Sequence, residues 1–136
     1  MKKADFGVLL IMGKQYFHAC KFKQSIYCIN MAKTKCKTAP RINKRDLEEA
    51  LLWLCIVQMV YFTNRIRIYK KNLENKQVNV QGAQEMFDVF KNLKDAIYDY
   101  EEIKSENSKM LTVILYIKLK LEIFRQSDMF GKIIKI

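Results

Sequence analysis

The most informative segment of the chain is LLIMGKQYFHACKFKQSIYCINMA, residues 9–32. It has the pattern of one helix, a short turn and a second helix. Gly13 and Ala32 stand where the two helices would touch, because small side chains let two backbones approach closely. Larger apolar residues stand where the space between the helices has to be filled. The residues predicted to pack this hairpin are Leu9, Met12, Gly13, Tyr16, Phe22, Ile26, Ile29 and Ala32.

The spacing within this hairpin resembles that of a tetratricopeptide repeat. The repeat has a large residue, two spacers, Leu-Gly, two spacers and Tyr, and here the order is Leu9, Met12-Gly13 and Tyr16. In the second helix, Ser25, Ile29 and Ala32 take the small, aromatic and small positions of the repeat, which implies a helical scaffold that binds other proteins.

The resemblance covers about 30 of the 136 residues and departs from the repeat in two places. Lys37 stands where proline is usual, and Pro40 follows three residues later. Leu10 and Lys14 occupy the first-helix positions from which Lys and Asn clamp a peptide carboxylate in some repeat proteins. The resemblance therefore does not extend to that clamp.

A partial second copy of the pattern lies at about 120–134, where a bulky pair, a polar turn, a bulky residue and an isoleucine follow at the same offsets. Hairpins in such arrays bury their apolar faces only by stacking on one another. The chain is therefore expected to form one helical domain over residues 1–136, which could belong to a longer solenoid. Apolar residues at its end form a predicted interface edge, covered by self-association or by another subunit: Met129, Phe130, Ile133 and Ile134.

Periodicity predicts helices over about 4–19, 22–37 and 83–104, and a third helix of about thirty residues that starts at Asp46, with a break possible near 63–64. Residues 111–124 are ambiguous. They alternate as a strand does between Ile117 and Ile123, but a lone strand cannot satisfy its backbone groups, so helix is favoured. The predicted class is all-α, with five or six antiparallel helices in an irregular tetratricopeptide-like solenoid or a helical bundle.

Composition agrees with this class, since 50% of residues are apolar while only four are glycine and one is proline. The net charge of +11 is uneven: residues 1–45 carry +10 and the remainder +1. A candidate basic contact patch lies around the end of the second helix, where it could meet phosphates or an acidic partner, or could simply be solvated. It consists of Lys33, Lys35, Lys37, Arg41, Lys44 and Arg45.

Chemistry-bearing motifs are scarce. The spacing of Cys20, Cys28, Cys36 and Cys55 fits neither CxxC pairs nor zinc ribbons, so we expect no metal. His18 and Cys20, two residues apart on a helix, would point to different faces, which argues against a Cys–His nucleophile. Nucleotide-binding and hydrolase motifs are lacking, and we expect neither a cofactor nor an enzyme.

Four free thiols favour a reducing, intracellular compartment, in the cytoplasm, the nucleus or an organelle. The longest apolar run, residues 50–62, is too short to span a bilayer, so integral membrane insertion is not expected. The sequence thus predicts a non-enzymatic scaffold or adaptor that is a subunit of a larger assembly. The alternatives are a basic subunit that binds nucleic acid or ribonucleoprotein through its N-terminal third, and a peripheral membrane protein. Steep salt dependence would distinguish nucleic-acid binding.

Overall fold

A computed structural model of the chain describes residues 5–41, 43–75, 80–103, 117–120 and 124. It contains helices α1 (Phe6–His18), α2 (Phe22–Thr38), α3 (Lys44–Glu74) and α4 (Val80–Ile103). Residues 117–120 and 124 are also helical, and no strand occurs among the residues described. The predicted all-α class is therefore confirmed.

The turn between α1 and α2 is built by the backbone of residues 19–21. Asp5 caps the start of α1, where its Oδ1 accepts a hydrogen bond from the amide of Val8 at 2.8 Å. At the other end Cys20 has a left-handed φ of 59°. The amide of Lys21 bonds the carbonyl of Tyr16 at 2.8 Å, and that of Cys20 bonds Phe17, the pair of bonds that defines a Schellman ending. This ending reverses the chain within three residues.

The start of α3 differs slightly from the prediction. The capping side chain is Asn43, whose Oδ1 accepts from the amide of Asp46 at 3.2 Å, so the helix begins at Lys44. The helix then runs through Thr63 and Asn64 to Glu74 without the predicted break. Helix α4 begins at residue 80, three residues before its predicted start at 83.

Consecutive helices pack side by side and antiparallel. Helices α3 and α4 show this by pairing Tyr61 with Glu85, while Cys55 lies near Asp99. Helices two apart also touch: the rings of Phe17 in α1 and Trp53 in α3 are 6.1 Å apart. The side-by-side packing of consecutive helices is compatible with a helical repeat-like fold. Its members are unequal, since α1 has 13 residues and α3 has 31.

The core centres on α3, which is covered by α2 on one side and α4 on the other. Phe124 closes it from the C-terminal side, with its ring 4.8 Å from that of Phe62 and perpendicular to it. Lys118 pairs with Glu101 of α4 at 2.9 Å, so this short helical piece lies along α4. Helix rather than strand is confirmed for 117–120 and 124, and residues 111–116 and 121–123 lie outside the described residues.

The span Lys44–Asn72 of α3 is long enough and apolar enough to cross a bilayer, judged by length and composition alone. The core helix of a soluble protein can satisfy the same criteria. Residues 50–62 alone are too short to span a bilayer, but the continuous helix extends well beyond this apolar run. In this fold α3 packs between α2 and α4, which bury part of its apolar surface, whereas Val60 and Ile68 stay exposed.

Candidate interaction surfaces

The hairpin of α1 and α2 is held by a very close contact at Gly13. A Cβ placed on Gly13 would lie 2.5 Å from Cγ1 of Ile29, which is fully buried. The hydroxyl of Ser25, also fully buried, donates to the carbonyl of Gly13 at 2.6 Å. The two helices therefore approach so closely at this point that a side chain larger than hydrogen meets Ile29.

The predicted packing residues fall into three groups. Leu9, Gly13, Ile29 and Ala32 are buried, and Phe22 and Ile26 are half-buried against the core. Tyr16 is half-buried and Met12 is 36% exposed, and both line a surface pocket. Met12 thus differs from its predicted role, because it lies on the outer side of α1.

An aromatic cluster around Phe17, and not Tyr16, fills the space between α1, α2 and α3. This cluster was not predicted from the sequence. The ring of Phe17 meets those of Phe22 and Trp53 edge-on, and Phe22 stacks on Tyr61 at 5.5 Å. Tyr16 and Phe17 are adjacent, so they differ by about 100° around the helix, and only one of them can face the neighbouring helices. The neighbours Trp53 and Tyr61 come from α3, which the spacing within the hairpin could not reveal.

The outer face of α1 is apolar and exposed. Val8 and Ile11 are 46% and 57% exposed, and Met12 is beside them. The opposite face of the same helix buries Leu10 and Gly13. Helix α1 is therefore apolar on two faces, and no residue in the described part of the chain buries the outer one.

A shallow pocket continues this outer face toward the turn. It has a volume of about 260 Å³ and is lined by Met12, Gln15, Tyr16, Ala19 and Lys21. Its lining combines an aromatic ring and a thioether with an amide and a cation. Together, the outer face of α1 (Val8, Ile11, Met12) and this pocket form a surface called here the α1 edge.

The predicted basic patch spans the C-terminal end of α2, the connection that follows it and the first turn of α3. Lys33 and Lys35 are half-buried, whereas Lys37, Arg41, Lys44 and Arg45 are exposed. None of the six forms an ion pair with another residue that the structure describes. Lys44 and Arg45 lie in the first turn of α3, so the patch includes the end of one helix and the start of the next.

Two exposed residues of α2 were not singled out from the sequence. Tyr27 is 67% exposed and Met31 is 39% exposed, one turn apart on the side of α2 that faces away from the core. Helix α2 contains four lysines and no acidic residue. The residues were missed because apolar side chains in an amphipathic helix are ordinarily assigned to the core.

A polar cluster ties three helices together. Glu85 of α4 accepts hydrogen bonds from the Tyr61 hydroxyl at 2.9 Å and Arg65 Nη2 at 3.0 Å, and Lys23 Nζ of α2 lies 3.4 Å away. Partial burial opposes ionisation of Glu85, but these three partners together hold its pKa below the usual range. Burial, followed by the bond to Glu85, raises the pKa of Tyr61 to about 12.

The cysteines are spread through the hairpin and the core. Cys20 is exposed, while burial raises the pKa values of Cys28 and Cys36 and raises that of Cys55 to about 12. No group of His, Cys, Asp and Glu able to hold a metal ion occurs within the described ranges. A buried thiol with a raised pKa is a poor nucleophile.

The predicted interface edge Met129, Phe130, Ile133 and Ile134 lies outside the described residues, and it stays a prediction. Comparison of the chain with models of known protein families gave no match, and the searches of curated proteins and of solved structures gave none either.

Proposed function

We propose that this chain is a non-enzymatic interaction module of the tetratricopeptide-like kind, and that the α1 edge receives a helix of a partner protein. One observation carries the proposal: α1 is apolar on two faces, and the described residues bury only one of them. Val8 and Ile11 are about half exposed on the other face. A helix that is apolar all round is normally buried on all sides.

The occupant that fits the α1 edge best is an amphipathic helix. Val8, Ile11 and Met12 recur at intervals of three and four, so they form a ridge along α1. Inside the molecule, α1 receives α2 on its other face through a similar stripe of apolar residues. A partner helix on the α1 edge would extend the stack by one member, which is how arrays of helical hairpins bury their outer faces.

Charge indicates what should flank the apolar stripe of the partner. The N-terminal third of the chain carries +10, and Lys21 is one of the residues that line the pocket. Two copies meeting at this edge would bring like charges together, which opposes association. We therefore assign an acidic partner to this edge in preference to a second copy.

A designed peptide tests the assignment. The probe is a labelled 18-residue helix with Leu along one face and Glu elsewhere, and its control is a scrambled peptide of the same composition. Binding is followed by fluorescence anisotropy, and sedimentation of the protein alone reports self-association. We expect Ile11→Glu to weaken binding at least about tenfold, because a charge would be buried in an apolar contact.

The matched control is Leu119→Glu, since Leu119 is 58% exposed and Ile11 is 57% exposed. It introduces the same charge at an apolar site of equal exposure on another part of the molecule. Equal weakening by the two variants, or equal binding of the scrambled peptide, would contradict the proposal. Concentration-dependent dimerisation abolished by Ile11→Glu would assign the edge to a second copy instead, which also contradicts it.

A further inference from the structure

A second surface, distinct from the α1 edge, runs along the outward side of α2. Lys23, Tyr27, Thr34 and Lys37 follow one another at intervals close to whole helical turns, and all four are exposed. Arg41, also exposed, lies three residues past the end of the helix. This line and the adjoining basic patch (Lys33, Lys35, Lys37, Arg41, Lys44, Arg45) are called here the α2 surface.

The positions of the basic residues are not explained by helix stability alone. Cations near the C-terminus of α2 are favoured by the helix dipole, which accounts for Lys35 and Lys37. Lys44 and Arg45 lie in the first turn of α3, where the same dipole disfavours positive charge. These two residues therefore reduce the stability of α3 slightly, and an anionic partner would compensate their positive charge.

Tyr27 adds an exposed aromatic ring to this basic surface. Its ring is 67% exposed, and it lies between Lys23 and the basic patch. Lys23 is already close to Glu85, so the free positive charge is concentrated at the other end of the line. An exposed planar ring beside a row of cations suits a nucleobase, which stacks on aromatic side chains while its phosphates contact Lys and Arg.

The dimensions agree with a short single strand. Tyr27 and Lys37 are ten residues apart on one helix, a distance of about 15 Å at the α-helical rise. We infer that the α2 surface binds the phosphate backbone of a single-stranded nucleic acid and that Tyr27 stacks on one of its bases. This inference goes beyond the proposed function, because it concerns a different face and a different class of partner.

A membrane is a poorer match for this surface. A helix that lies in a membrane interface needs a broad apolar face, whereas the outward side of α2 carries Thr34 and Thr38 along with its lysines. Its apolar side, with Ile29 and Ala32, is buried within the protein. An acidic protein would match the cations but would leave the ring of Tyr27 without a specific role.

The first experiment measures salt dependence with fluorescein-labelled 20-nucleotide oligo-U and oligo-dT, by anisotropy between 50 and 200 mM salt. The test variant is the triple Lys35→Gln, Lys37→Gln, Arg41→Gln. Its matched control removes three exposed lysines elsewhere, through Lys70→Gln, Lys71→Gln and Lys91→Gln. We expect the test variant alone to bind more weakly and to reduce the slope of log K against log salt by about two, as the loss of three phosphate contacts requires.

The second experiment isolates stacking. Tyr27→Ala should weaken binding at least about fivefold, because one base–aromatic stack is lost without any change in charge. Tyr98→Ala is the control, since Tyr98 is 65% exposed on α4, and it should leave the affinity unchanged. Circular-dichroism melts of all variants verify that the fold is retained.

Several results would overturn the inference. One is equal weakening by the two triple variants, which would mean that only net charge matters. Another is an unchanged affinity of Tyr27→Ala. A third is binding of polyglutamate or of phosphatidylserine vesicles at the α2 surface more tightly than either oligonucleotide. Because the peptide probe of the α1 edge is measured separately, failure here is distinguishable from failure of the proposed function.

Discussion

The contact at Gly13 yields the most quantitative prediction, through the pair of variants Gly13→Ala and Gly7→Ala. An added Cβ at Gly13 would stand 2.5 Å from Cγ1 and 3.2 Å from Cδ1 of Ile29. Carbon atoms in contact prefer 3.5–4.0 Å, so the helices must separate or Ile29 must move by about 1 Å. Ile29 is fully buried and β-branched, and it has little freedom to move.

The two variants differ only in this contact to a first approximation. At Gly7 the added Cβ meets only Asp5 Oδ1, at an ordinary 3.6 Å. Both changes gain up to about 1 kcal/mol of helix propensity, so Gly7→Ala should be neutral or stabilising. Gly13→Ala should in addition lose about 1–3 kcal/mol to overpacking, and Gly13→Leu should lose more. The difference in unfolding free energy between the two alanine variants is therefore expected to be about 1–3 kcal/mol.

Urea unfolding followed by circular dichroism measures this difference, and thermal melts should show about 3–5 °C per kcal/mol for a domain of this size. A double-mutant cycle with Ile29→Ala removes the two atoms that the new methyl group meets. The cost of Gly13→Ala should then shrink or vanish, giving a coupling of at least about 1 kcal/mol. The reasoning is refuted if Gly13→Ala is as stable as Gly7→Ala, or if the costs at Gly13 and Ile29 simply add.

Three further predictions concern other parts of the molecule. The lowered pKa of Glu85 stabilises the fold above its ordinary value of 4.5, and this contribution is lost as the pH falls through the lowered pKa. Glu85→Gln should therefore cost about 1 kcal/mol at pH 7 and progressively less in acid, and a urea-unfolding difference that does not vary with pH would be inconsistent with this. In the native protein a thiol reagent should modify Cys20 rapidly and the three buried cysteines only after unfolding, so rapid labelling of all four would disprove their burial. Light scattering should show that the double variant Phe130→Glu, Ile134→Glu associates less than the unaltered chain. If both proteins are monomers with equal melting temperatures, the predicted C-terminal edge is not an interface.

The hairpin could be predicted from sequence because its determinants are local. Gly13 lies on the first of two helices that are consecutive in the chain, so the spacing predicted a close helix contact there. It paired Gly13 with Ala32, whereas the side chain nearest to Gly13 in the structure is that of Ile29. The choice between Tyr16 and Phe17 could not be made in this way. It depends on where α3 places Trp53, a contact between residues far apart in the chain.

The polar cluster and the exposed faces were beyond sequence reasoning for a related reason. Glu85 meets Tyr61, Arg65 and Lys23 only after α2, α3 and α4 have packed, and no pattern within any one helix indicates it. An apolar residue such as Ile11 reads as a core residue until the fold shows which faces of α1 are covered. The candidate surfaces are therefore products of the packing.

Chemical-shift mapping shows residue by residue whether a partner helix binds at the α1 edge. The isotope-labelled protein is titrated with the acidic amphipathic peptide, and amide shifts are followed in heteronuclear correlation spectra. We expect the largest changes between Val8 and Lys21, around the outer face and the pocket, with the α2 surface and α4 little affected. No shift at saturating peptide, or changes centred on Tyr27 and the basic patch instead, would contradict the account.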